Sequence, residues 1–209
     1  MSRSRPLSSL LRRAGRAGRA LGDDARATAA VEAALVLPVA LTMFALLIYG
    51  AEAFAVQRKV TLTARTVTDL VTQAAPTQFS GSASVVVHTA IDNLLCVASA
   101  VIAPYNPTNM SMVVSEVQVN ADQTDATVVW SESYNGATAR AYSTTVTLPT
   151  GLGTGQANSY FVLGEVSYNY TPLNFYVSAS ALTLHDAIYL TPRQSTSITC
   201  TDCASHPPS

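Results

Sequence analysis

Cys200-Thr201-Asp202-Cys203 sets two thiols three positions apart, the spacing of a redox dithiol or of half a metal site. A redox pair works where a helix N-terminus in a βαβ unit lowers the thiol pKa. This pair instead follows a strand-like stretch near the end of the sequence. A four-cysteine zinc site lacks partners, because the chain has three cysteines and His206 alone does not complete a set. The expectation is a structural disulfide, formed in an oxidising compartment by two of Cys96, Cys200 and Cys203. Cys96 lies in a helical stretch and is expected to reach Cys200 or Cys203. Such a link closes about 100 residues and contributes about 3–5 kcal/mol in the chain-entropy account. His185-Asp186 offers two members of a hydrolase triad, but no G-x-S-x-G elbow accompanies them and adjacency does not set triad geometry. They read as exposed loop residues. His88 falls near the apolar stripe of a helix and reads as a partly buried helix residue rather than a ligand. Gly151-Leu152-Gly153-Thr154-Gly155 lacks the lysine and the strand–helix setting of a phosphate loop. The expectation is a protein that is not an enzyme, with no catalytic residue, metal or cofactor.

Glu32 carries a different kind of chemistry. It opens a stretch, Ala33–Ala51, that holds no charged side chain and is closed by Glu52. As a helix those residues span about 28 Å, near the thickness of a bilayer's hydrocarbon core. A carboxylate at the lip of such a span costs energy on insertion and often marks a function. The plainer alternative is an acid snorkelling to water near a helix start, where the helix dipole favours it.

Charge orders the ends of the span. Seven arginines (3, 5, 12, 13, 16, 19 and 26) stand before it against Asp23 and Asp24. Beyond Lys59 there are three arginines and nine acids. The overall charge of −1 hides this asymmetry. The positive-inside rule keeps the arginine end in the cytoplasm and sends the rest across. A cleaved secretory signal would have a shorter apolar core and a small-residue cleavage site, which Glu52-Ala53-Phe54-Ala55 does not offer. A basic arm beside a span points to lipid headgroups rather than nucleic acid.

Beyond the span, Ala53–Gln73 has no Gly or Pro. Phe54, Val60, Ala64, Val67 and Val71 recur at helical spacing. One helix is expected from about Thr28 to Ala74, stopping at Ala75-Pro76, with Pro38 inside the span as a tolerated kink. Phe79–Ser82 reads as a loop and Ser84–Ala103 as a second helix. Met112–Val119 and Ala126–Ser131 alternate like strands around turn residues 120–125, which makes a hairpin. Ala139–Leu148 reads as a strand or an extended segment, and Tyr160–Tyr170 as a strand. Tyr189-Leu190 and Ser197–Thr199 suggest a last short strand or pair. The expected class is α+β: a long N-terminal transmembrane helix continuing into a periplasmic domain, with a second helix packed on an antiparallel sheet. The expected division is 1–27 as arm or leader, 28–75 as helix, 76–203 as domain and 204–209 as disordered tail.

The segment from Ala27 to Pro38, ATAAVEAALVLP, resembles the N-terminal signature of TadE/TadG-like proteins of the tight-adherence (Flp) pilus machinery, which reads close to GAAAVEFALVLP. Glu165–Tyr170 resembles the family's hydrophobic strand, and Tyr189–Arg193 its closing Pro-Arg stretch. Ala27 stands where the family has Gly, and Ala33 where it has an aromatic residue. The resemblance implies two alternatives, a prepilin-like cut between Ala27 and Thr28 or an uncut anchor. After a cut, Glu32 is the fifth mature residue and is placed to pair with a neighbouring subunit's amine, a register device together with Pro38.

The implied function is a non-enzymatic structural component of pilus assembly, single-pass in a bacterial inner membrane, with the N-terminus cytoplasmic and the domain periplasmic. Its expected partners are membrane lipid and pilus-assembly proteins or pilin subunits, with no nucleic acid and no small-molecule substrate. The alternative is a membrane-tethered extracytoplasmic binding or adhesion module. It would use the Ser/Thr-rich loops from Gly136 to Asn158, with Tyr134 and Tyr142.

Overall fold

In a computed structural model, residues 25–74, 78–80, 83–171 and 182–206 are described. Residues 1–24 of the arginine arm, the Ala75-Pro76 stop and positions 207–209 lie outside them. The protein is α+β and divides into two units between Ala51 and Glu52.

Helix α1 runs unbroken over Ala25–Thr72 with Pro38 inside it. Strands β1 (Gln78–Ser80) and β2 (Ala83–Val85) precede helix α2 (His88–Ser99). Two short 3₁₀ turns lead to β3 (Met110–Val119), β4 (Asp125–Tyr134) and the short β5 (Thr145–Thr147). The chain continues into β6 (Tyr160–Tyr170), β7 (Leu182–Leu190) and β8 (Ser197–Thr199). An antiparallel sheet has the order β5-β4-β3-β6-β7, and a small second sheet has the order β1-β2-β8 with β2 and β8 parallel.

The expected hairpin is β3–β4. Asn120 N–H donates to Asp125 O at 2.9 Å, and Gln123 takes the left-handed turn conformation. The second helix starts later than the apolar pattern implies. Val85-Val86-Val87 is β-branched and stiff at χ1, and its backbone joins β8 instead, with Val86 N–H on Thr199 O at 2.9 Å.

The main core lies between one face of the five-stranded sheet and the two helices. It holds Val56, Val60, Ala64, Val67 and Val71 of α1, Ile91, Leu95 and Ala98 of α2, and Met110, Met112, Val114 and Trp130 of the sheet. The α1 stripe enters through Val56, not through Phe54, which is 75% exposed. A smaller cluster gathers Val117, Val119, Val128, Phe161 and Leu163 with Val146 and Leu148. A register shift at Glu116/Val117 pairs Glu116 with Trp130 but Val117 with Val128, leaving Val129 as an extra residue. Such a bulge reverses which face the next residues meet. Trp130 and Val128, two apart in sequence, therefore serve different clusters.

Where α1 crosses β6, the residue on the strand is Gly164. A Cβ there would collide with the Thr68 hydroxyl. Thr68 is buried and spends that hydroxyl on Ala64 O of its own helix at 2.7 Å. The last turn of α1 is closed from outside: Arg193 N–H reaches Thr72 O at 3.1 Å and Gln194 Nε2 reaches Gln73 O at 3.0 Å. The Arg193 guanidinium also sits 2.6 Å from Asp69.

Candidate functional site

From Ala33 to Ala51, α1 carries no charged side chain on any face. Its large side chains from Val31 to Ile48 are each more than half exposed, up to 70% at Leu47. An exposed surface of this kind needs an apolar covering, and the helix is long and apolar enough to cross a membrane. That agrees with a single-pass membrane protein. Glu32 lies exposed on this helix, and the helix continues through it without interruption. Ala27 and Thr28 also lie within the helix. Pro38 has no N–H for the carbonyl of Ala34, four residues back. One turn further on, Thr42 Oγ1 donates to Val39 O at 2.8 Å, the local satisfaction that polar groups need in lipid.

Among the described residues, the unit from Glu52 onward holds three polar constellations, all missed by motif reading because each joins residues far apart in sequence. In the first, Glu116 is 1% exposed. Its Oε2 accepts from the Trp130 indole N–H at 3.1 Å, and its Oε1 accepts from the Ile198 backbone N–H. Trp130 N–H also reaches Ile198 O. Burial dominates over these two donors and pushes the Glu116 carboxyl up to about 8. The group is held largely neutral at neutral pH and fastens β8 to the sheet.

The second constellation is open. Arg140 Nε and Nη2 grip both oxygens of Glu165 at 2.6 and 2.7 Å, the two-pronged geometry that makes such pairs strong. Glu165 holds the guanidinium's pKa above its usual value. His185 Nε2 lies 4.0 Å from the same carboxylate. With Ser111, Thr138 and Ser167 these residues line a cavity of about 250 Å³. His185 and Asp186 are on strand β7, not on a loop. Successive strand residues point to opposite faces, so the pair shares no site. Asp186 Oδ1 accepts from the next residue's N–H.

The third constellation joins α2, β4 and the C-terminal segment. His88 is the first residue of α2 and is half-buried, as expected of a partly buried helix residue. Its Nδ1 lies 3.5 Å from Asp92 Oδ2, one turn along, and 3.4 Å from Glu132 Oε2 on β4. The three donor atoms all lie within 4.8 Å of one another. Glu132 is 5% exposed, and its two oxygens accept from the N–H groups of Ala204 (2.8 Å) and Ser133 (3.0 Å). Asp202 Oδ1 accepts from His88 N–H at 2.9 Å and so caps α2 from a distance.

The disulfide expectation needs correction at this place. Cys200 and Cys203 bond to each other, with their Cα atoms 5.6 Å apart, and Cys96 is free and exposed. The buried face of α2 is set by Ile91, Leu95 and Ala98. Cys96 follows Leu95 and so turns outward, out of reach of the other two. The short Cys200–Cys203 loop instead presents Asp202 to α2, and the next residue, Ala204, to Glu132. Ala204 and Ser205, expected in a free tail, are held there. Ser205 exchanges backbone hydrogen bonds with Ser131 at 2.8 and 3.1 Å.

The chain matches no family model, no curated protein and no solved structure. Function therefore has to be argued from the helix and these constellations.

Proposed function

We propose that the protein is a non-enzymatic structural component of bacterial tight-adherence (Flp) pilus assembly, anchored in the inner membrane by α1 with its α+β domain in the periplasm. One observation carries the reading. A single 48-residue helix begins as an exposed apolar rod bearing Glu32 at its lip and ends as a core helix of a folded domain. The TadE/TadG-like signature falls on that rod. The arginine excess before it and the acid excess after it support this orientation. A Cys200–Cys203 disulfide suits the oxidising side of the membrane.

Deleting the gene abolishes or sharply reduces surface pili and adherence on this reading, and normal piliation in the deletion strain would rule it out. Within it, Glu32 acts in subunit register. The Glu32→Ala chain inserts normally, since a charge is removed from the membrane lip; piliation falls if the chain is cut before Thr28, and changes little if it stays uncut. Mass spectrometry of the mature N-terminus separates a pseudopilin starting at Thr28 from an uncut anchor starting at Met1 or Ser2. An uncut chain removes the processing step and leaves the assembly role standing.

A membrane-tethered binding module is the second reading, favoured by the open Arg140–Glu165–His185 cavity. Crosslinking decides between the two. An assembly component crosslinks through its span to pilin or to the inner-membrane platform, and a binding module does not.

A further inference from the structure

We propose that His88, Asp92 and Glu132 bind one divalent transition-metal cation of the zinc class, at the junction of α2, β4 and the Cys200–Cys203 loop. The inference is independent of the role in pilus assembly.

The spacing of the donor atoms carries it. A protonated imidazole bound to a carboxylate brings N and O to about 2.7–2.9 Å. Here His88 Nδ1 stands 3.5 Å from one carboxylate oxygen and 3.4 Å from another. A single N–H cannot serve both, and neither distance is that of a charged hydrogen bond. Both are edges of a tetrahedron. Ligands at about 2.0–2.2 Å from a zinc ion lie about 3.3–3.6 Å from one another. The third edge, between Asp92 and Glu132, is within 4.8 Å. Asp92, 42% exposed, is the ligand with room to adjust to that edge on binding.

The scaffold fits a ligand set. His88 and Asp92 share one face of α2 at i and i+4. Glu132 is fixed by two backbone N–H donors, which orient a ligating carboxylate as outer-shell partners do. One imidazole nitrogen with two carboxylates favours a borderline cation over calcium or magnesium, which take oxygen ligands. Neutral His88 leaves the set at −2, which a divalent cation balances. Three protein ligands leave a fourth position for water.

The test uses the full chain in detergent micelles after chelator treatment. Calorimetric titration with Zn²⁺ gives one ion per chain, and Co²⁺ gives the visible absorption of a tetrahedral site. His88→Ala and Asp92→Asn each weaken Zn²⁺ binding by more than the about 10–100-fold that loss of an outer-shell partner costs. Both side chains are more than 40% exposed, so both variants fold, as circular dichroism checks. Zn²⁺ raises the unfolding temperature of the unaltered chain and not that of His88→Ala. His185→Ala binds like the unaltered chain. The proposal is overturned by a chain that takes up no zinc, by equal affinity in His88→Ala, or by binding that follows His185 or His206 instead.

Discussion

Glu116 is the residue whose chemistry the protein's stability should report most directly. Its carboxyl titrates near 4.5 when free and near 8 in the fold. Between those values the unfolded chain has released the proton and the native chain still holds it. Raising the pH through this window therefore favours unfolding, by at most about 1.4 kcal/mol per pH unit. The stabilising contribution is complete below 4.5 and is lost as pH passes 8. Urea unfolding of the full chain in micelles measures it, and Glu116→Gln should flatten the slope. A level profile in the unaltered chain would mean that native Glu116 is already ionised. Nothing local betrayed this residue. Glu116 sits in a strand whose alternation was plain, but its burial depends on Ile198, 82 positions away. Cys96 was misjudged for a related reason: cysteine count and compartment say that two of three pair, while helix phase, set by Leu95, decides which.

At the scale of elements, the sequence was most readable where one period held for many residues. Helix α1, the β3–β4 hairpin and β6 follow from their patterns. Strand β7 did not, because Leu182–Leu190 is mostly exposed or half-buried at a sheet edge and its His-Asp pair draws attention to loops. The β2–β8 pairing is parallel and long-range, so no turn announces it. The contact between α1 and β6 depends on Gly164. Gly164→Ala should destabilise the fold by about 1–3 kcal/mol, the usual cost of overpacking, because Thr68 and the helix behind it must move. Thr68→Ala combined with Gly164→Ala should recover part of that loss, and a double-mutant cycle in urea measures the coupling. Additive effects would mean that the helix does not rest on the strand there.

For the whole molecule, two outcomes check the topology and the thiols together. An arginine in place of Leu41, mid-rod on α1, should raise the insertion cost by about 2.5–3.5 kcal/mol. Alkaline extraction of membranes would then release a larger fraction of the variant than of the unaltered chain. Maleimide labelling of the denatured, non-reduced protein should add one adduct per chain, on Cys96, and none in Cys96→Ser. Two adducts remaining after that substitution would break the Cys200–Cys203 assignment.

The Trp130–Glu116–Ile198 knot also sets a timetable. On the proposed orientation the N-terminus stays behind and the domain crosses from its α1 end, which delivers β3 and β4 long before Ile198. Until that residue emerges, the indole and the carboxyl have only each other and water. The five-stranded sheet can zip early, yet Glu116 and Trp130 stay unsealed until Ile198 arrives. Release of a chain shortened before Ser197 would leave the Glu116–Trp130 pair in place but strip Glu116 Oε1 of its Ile198 donor, a cost of about 1–3 kcal/mol for an unsatisfied neutral group. Such fragments should turn up as protease-sensitive or aggregated material. On that orientation, completion of export becomes the step that commits the domain to its native state.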